Sequence, residues 1–163
     1  MIRRTHTVIG LILLCGLALV ACQETADAPK RPNILWVVSE DNSAWLGSYG
    51  DQLATTPRLD ALAAEGLRYT RAYSNAPVCA PSRAALITGA YPIAFGTEHM
   101  RSGYKIPGEI RFYPSYLREA GYYTSNNSKK DYNTVDQPDA WDESSEEASY
   151  RNRADGQPFF HIA

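Results

Sequence analysis

The sequence predicts an α/β layered fold, and three observations carry that expectation. Residues 33–39, NILWVVS, are a continuous apolar run rich in β-branched side chains, the pattern of a strand buried on both faces of a parallel sheet. Residues 57–66, PRLDALAAEG, open on proline and stop on glycine, as helices do. The segments that follow continue the alternation, in the order strand, helix, strand, helix, helix, strand, which argues for helices layered on a sheet.

The elements read as follows. At the amino terminus, Arg3 and Arg4 precede an apolar run from Val8 to Val20, shorter than the ~20 residues that span a bilayer and suited to the hydrophobic region of a signal peptide. The run ends Leu19-Val20-Ala21-Cys22, which resembles a bacterial lipobox. That resemblance implies cleavage before Cys22, acylation of its thiol, and a lipid-anchored protein of the bacterial cell envelope, on the outer membrane or its periplasmic face. Residues 1–21 are then a signal peptide. Residues 22–32, polar and proline-containing after Cys22, are a lipidated tether. Residues 33–163 are the folded part.

Within it, Thr56 is the expected N-cap of the first helix, and Leu59, Leu62 and Ala63 share one face. Residues 67–73, LRYTRAY, alternate like a half-buried strand. Pro81 opens a second helix that runs to Leu86 or Thr88. Residues 114–120 form a short third helix stopped by Gly121, and 122–125 a strand. Residues 131–147 hold acidic side chains and no basic ones, and read as a solvated loop whose spacing matches no calcium loop. Residues 157–163, QPFFHIA, look like the start of another buried strand, so the chain is expected to be a truncated piece of a larger domain.

Composition excludes some functions. Sixteen Lys and Arg against 18 Asp and Glu leave a formal charge of −2, which removes nucleic-acid binding by bulk charge. An apolar fraction of 44% argues against global disorder. Three cysteines cannot build a disulfide scaffold. With Cys15 in the signal peptide and Cys22 acylated, Cys79 is the one free thiol of the mature chain. An unpaired thiol in an oxidising compartment calls for an explanation.

That thiol opens the string Cys79-Ala80-Pro81-Ser82-Arg83, followed by Thr88-Gly89. Proline in the first helical turn puts residue 79 at the amino end of a helix, where free N–H groups and the dipole favour an anion. Arg83, one turn on, can reach back toward it. The string resembles the type I sulfatase signature, C-x-P-S-R-x-x-x-x-T-G. The resemblance implies a three-layer α/β/α, alkaline-phosphatase-like fold, of which only the amino-terminal part is present. It implies that a formylglycine-generating or maturase enzyme oxidises Cys79 to formylglycine, whose hydrate is the nucleophile. It also implies hydrolysis of a sulfate ester, and the expected substrate is a sulfated polysaccharide.

Two further matches extend the resemblance. Glu40-Asp41 follow the strand 33–39, where sulfatases carry an acidic pair, usually Asp-Asp, that binds Ca²⁺. Hard oxygens at a strand's carboxyl end suit Ca²⁺ or Mg²⁺; the resemblance adds Cys79, as its hydrate, to the metal contacts and implies a later Asp-Asn or Asp-Gln pair that this sequence does not reach. Gly121-Tyr122-Tyr123-Thr124 lead to Lys129 at the position of the family's sulfate-binding lysine, while Asp131 stands where the family has histidine. Cys79, Arg83 and Lys129 are thus the expected catalytic residues, and His99 and Arg101 candidate substrate contacts. Two rivals remain: a phosphonate or phosphate ester hydrolase with the same signature, and a non-catalytic glycan-binding lipoprotein on a decayed sulfatase domain. The polypeptide as given is expected to be inactive or poorly folded on its own.

Overall fold

The computed structural model describes residues 31–163, so the expected signal peptide, lipobox and Cys22 lie outside the described residues. Pro32–Ala163 form one compact unit. At its centre is a four-stranded sheet, every pairing parallel, with β1 (Ile34–Trp36), β2 (Tyr123–Asn126), β3 (Glu143–Ser144) and β4 (Phe159–Ile162) in the order β1-β4-β2-β3. The last strand in the chain is therefore an inner one. Phe160 is in register with both Ile34 and Thr124. All four residues of β4 are buried, as the apolar end of the sequence predicts. Among the described residues, three α-helices accompany the sheet: α1 (Pro57–Glu65), α2 (Cys79–Thr88) and α3 (Pro114–Glu119). Among the described residues, no helix is long and apolar enough to cross a membrane.

One face of the sheet makes the core. Phe160 and Ile162 of β4 pack with Ile87 of α2 and with Phe112, Tyr122, Tyr132 and Trp141, while Ile34, Trp36 and Leu117 pack against the cluster's margin. Aromatic contacts dominate: Phe160 meets Trp36 and Tyr113 edge-on at 6.0 and 5.3 Å and stacks on Trp141 at 6.3 Å. The opposite face is covered unevenly. Tyr150 stacks on Phe159 at 4.6 Å and meets the His161 ring at 5.6 Å. Leu35, in register with His161, is 53% exposed.

Four expectations change. The run 33–39 gives a strand of only three residues at the sheet's edge, with Leu35 and Val37 exposed, rather than one buried on both faces. Residues 67–73 make no strand: Leu67, Tyr69 and Tyr73 are exposed and no sheet edge pairs with them. Helix α1 forms where predicted, but buries none of its residues. Its Thr56 hydroxyl, instead of capping, accepts from the Gly47 amide at 2.9 Å and donates to Asp60 at 3.0 Å. The acidic stretch 131–147 is structured. Asp142 accepts from the Thr124 amide at 2.8 Å and from Arg118 at 2.7 Å, and Glu143 from the Tyr123 hydroxyl at 2.9 Å and Asn152 at 2.8 Å. These acids hold β3 and its flanks to β2.

Helix α2 positions the chemistry. It starts at Cys79, two residues earlier than proline alone suggests, because Val78 is extended and the chain turns there. Ala80 and Ala84 are fully buried; with no long side chain, they let the helix backbone lie close to its neighbours. Gly89 stops it in the left-handed region at φ +69°, its amide donating to Ala85 O at 2.8 Å, a conformation that costs other residues a steric penalty.

Candidate active site

The site is built by a loop folded over the amino end of α2. After β2 the chain runs through residues 127–134, and this loop meets Cys79, Arg83 and the segment that follows β1. Cys79 is the first residue of α2, half-buried and unpaired. Its Sγ lies 3.8 Å from Asp131 Oδ2, a weak thiol contact.

Arg83 does something other than the spacing suggests. It is buried, and its guanidinium donates from Nε to Lys130 O at 2.8 Å and from a terminal nitrogen to Lys129 O at 2.5 Å. The same group lies over the Tyr132 ring, 5.3 Å from its centroid. The planar fork thus ties the loop to the helix and makes no hydrogen bond to Cys79. The backbone carbonyls, 46 and 47 residues away in sequence, capture it first. Burial, opposed by the Arg83 charge, raises the Tyr132 hydroxyl to about 12.

Lys129 reaches the other carboxylate expected at the site. Its ammonium donates to both oxygens of Glu40. That contact, first as a hydrogen bond, holds the Glu40 carboxyl below its ordinary range. Asp41, next in sequence, has a left-handed backbone at φ +56° and, among the described residues, makes no side-chain hydrogen bond or ion pair. The pair offers hard oxygens, and Glu40 already attracts one positive group, so its chemistry fits a hard divalent cation. It is a partial set. Among the described residues, no three His, Cys, Asp or Glu side chains gather around one point, and Ca²⁺ takes ~6–8 oxygens.

Of the two candidate substrate contacts, the structure brings in one. Arg101 extends a terminal nitrogen to 4.0 Å from Asp131 Oδ2 and lines a cavity of about 270 Å³ with Lys130, Asp131 and Asp136. The His99 imidazole points elsewhere: its side chain is 81% exposed and its one charged neighbour is Glu98 at 3.6 Å. What the fold uses is the His99 carbonyl, which accepts from Asn133 Nδ2 at 2.6 Å.

Sequence reasoning gave no role to Asn133 and noticed Asp131 only as a departure from a pattern. Asn133 is buried and bonds the loop of residues 97–102 through three groups. An Asn-rich loop carries no periodicity, so no local signal marks which asparagine is the clamp.

With this geometry in view, the comparisons with known proteins are specific. The Sulfatase family model matches residues 32–161. The chain is 47% identical over 146 residues to an ulvan-active sulfatase of Formosa agariphila, covering 82% of this chain and 24% of that protein. It is 43% identical over 110 residues to the N-acetylgalactosamine-6-sulfatase of Canis lupus familiaris, covering 60% of this chain and 21% of that one. A solved structure in complex with its substrate D-glucosamine-2-N,6-O-disulfate matches the fold with a TM-score of 0.68 at 24% identity, over 82% of this chain and 34% of its own. The chain spans about a quarter of the length of the curated relatives it matches. The match runs through the Cys79 helix, the acidic pair after β1 and the loop that joins them, and its breadth makes the conclusion plain: this chain belongs to the sulfatase family.

Proposed function

We propose that the protein is a sulfuric ester hydrolase releasing sulfate from a sulfated polysaccharide, with residue 79 as its nucleophile after conversion to formylglycine. One observation carries the reading: Cys79 stands at the amino end of α2 against a loop whose Asp131 lies 3.8 Å from its Sγ and whose Lys129 pairs with Glu40 of the acidic pair. When hydrated, the modified side chain supplies a hydroxyl that can attack sulfur as the bond from sulfur to the sugar oxygen breaks, the hydroxyl proton being lost and the sugar leaving, protonated, as its alcohol. A Ca²⁺ ion, or Mg²⁺, bound through Glu40 and Asp41 would supply positive charge for the sulfate oxygens.

The chain's own residues do the rest. The first-turn N–H groups of α2 favour negative charge at residue 79. Lys129 is a mobile point charge that can leave Glu40 for a sulfate oxygen once a cation neutralises that carboxylate. Arg83 fixes the loop on which Lys129 and Asp131 sit, so its role is positioning. Polysaccharide as substrate rests on the relatives, an ulvan-active enzyme and an N-acetylgalactosamine-6-sulfatase. Attachment to the cell envelope through acylated Cys22 rests on the lipobox-like sequence and keeps released sugars near the cell.

The test uses the full-length protein. Mass spectrometry of the peptide spanning residue 79 should show a loss of about 18 Da, thiol to aldehyde, and the same preparation should release sulfate from sulfated glycans. An unmodified thiol in an active enzyme would refute the nucleophile. Good turnover of phosphonate esters with no sulfate release would refute the reaction. Membrane fractionation of Cys22→Ala checks the anchor: the variant should appear as uncleaved precursor or in the soluble fraction, and unchanged processing and fractionation would remove it.

A further inference from the structure

The cavity beside Asp131 has walls built more firmly than a chance surface dent. Asn133 spends its whole side chain on the facing loop. Nδ2 donates to Thr97 O and His99 O, both at 2.6 Å, and Oδ1 accepts from the Ser102 amide at 2.8 Å. The Ser102 hydroxyl returns a bond to Asn133 O at 2.8 Å. One step further, Tyr104 and Thr134 form a parallel bridge, with the Val135 amide on Tyr104 O at 3.1 Å. Three non-glycine residues around the cavity hold left-handed backbones: Arg101 at φ +53°, Asp131 at +42° and Asn133 at +59°. Such conformations persist only where surrounding structure over-determines them, and they concentrate at binding sites.

The charges are arranged unequally. Lys130 is neutralised by Asp136 at 2.7 Å. Arg101 has, among the described residues, only the Asp131 carboxylate at 4.0 Å, makes no hydrogen bond through its guanidinium, and is 70% exposed. It presents an open planar fork, the geometry that binds carboxylate or sulfate oxygens bidentately. At about 270 Å³ the cavity lies near the lower end of ligand-pocket sizes and suits one sugar ring. Through Asp131 it adjoins Cys79.

Resting on the proposed reaction, we infer that this cavity is a subsite for the sugar next to the sulfated one, that Arg101 selects an anionic substituent on that sugar, and that Asn133 is a positioning residue holding the 97–102 loop so that Arg101 faces the ligand. The substrate class is a glycan in which the sulfated sugar neighbours an acidic one. Carboxylate and sulfate share the chemistry Arg101 reads.

The experiment measures equilibrium binding to the full-length protein by calorimetry, with unsulfated hexosamine–hexuronate disaccharide, the same disaccharide with its carboxylate reduced to the alcohol, and a counterpart bearing a non-hydrolysable sulfonate, in the place of sulfate, where the carboxylate stood. The wild type should prefer at least one anionic ligand to the reduced one by about tenfold, roughly 1.4 kcal/mol; which one it prefers names the source. Arg101→Gln should bring that preference close to one. Asn133→Gly, which tolerates the left-handed backbone while removing the clamp, should do the same with its melting profile recorded alongside. Circular dichroism of Arg101→Gln, an exposed position, guards against a folding artefact. Equal affinity of the wild type for all three ligands, or a preference that survives in Arg101→Gln, overturns the subsite. A preference that survives in Asn133→Gly overturns the positioning role. Because binding is read without turnover, a protein that shows the preference but releases no sulfate keeps the subsite and loses the reaction.

Discussion

Replacing Arg83 with lysine keeps the charge and should still loosen the site. The guanidinium makes two charge-assisted bonds to successive carbonyls, at 2.8 and 2.5 Å, from a buried position and over the Tyr132 ring. A lysine ammonium can serve one carbonyl from there but cannot span both and stay flat on the ring. Loss of one hydrogen bond to a charged group costs about 1.5–3 kcal/mol, and the ring contact adds about 0.5–1 kcal/mol, about 2–4 kcal/mol together. If the loop opens locally, its amides should exchange with solvent roughly 30- to 900-fold faster, at 1.36 kcal/mol per factor of ten. The assay is hydrogen exchange on peptides covering residues 127–134 and the first turn of α2, in full-length protein made without the modifying enzyme, so that wild type and variant both carry Cys79 as thiol. The sheet peptides serve as an internal reference. Exchange in the loop unchanged within threefold would refute the assignment of Arg83 as the tie between loop and helix.

Asp41→Asn should abolish tight Ca²⁺ binding while leaving the fold intact, measured by calorimetric titration of the full-length protein; calcium bound at full stoichiometry would remove Asp41 from the metal set. Stability should also depend on His161. Burial lowers its folded pKa below the ordinary 6.5, with Glu143 opposing, and its Nδ1 shares a 2.7 Å contact with the Ser125 hydroxyl. Below 6.5 the unfolded chain binds a proton that the folded one resists, so this contribution is complete above pH 6.5 and is lost as pH falls from there through the folded value. His161→Asn should flatten that limb of a denaturation-versus-pH curve relative to wild type, and parallel curves would count against the mechanism.

How far the sequence was readable depends on the range of the interaction. Helix α2 was legible to within two residues at its start and at one of the two ends the sequence offered, because Pro81 and Gly89 act within one turn of themselves. The strand 123–126 and the apolar end of the chain were legible for the same local reason. Strand 67–73 was misread because alternation describes a segment's two faces, whereas a strand also needs a free neighbour to pair with. The sheet's pairings join β1 to β4 and β4 to β2 instead. Likewise, the apolarity of 33–39 records the surroundings these side chains tolerate, not which neighbours cover them; Leu35 and Val37 lie open on an edge strand. Within the site, residue types and positions came through, but not the partners. Spacing sent Arg83 toward Cys79, one turn away, and nothing local foretold carbonyls arriving from the far end of β2. His99 was chosen for its imidazole, while the fold uses its backbone.

The order of the strands also sets a timetable. The acidic pair hangs from β1, and β1 is held by β4, whose Phe159 amide bonds Asn33 across 126 residues of chain. At ~5–20 residues added per second, roughly 6–25 s separate the emergence of those two groups from the ribosome. During that interval β1 lacks the one sheet neighbour it has among the described residues, and its long-range closure must wait for the inner strand. Residue 79 leaves the ribosome inside this window, on a chain that cannot yet assemble the walls around it. The time available to any agent that must reach the Cys79 thiol before the loop closes over it is therefore set by how late β4 is made. Changes that delay or weaken pairing at Phe159–Ile162 would lengthen that access and leave two sheet edges exposed to other chains for longer.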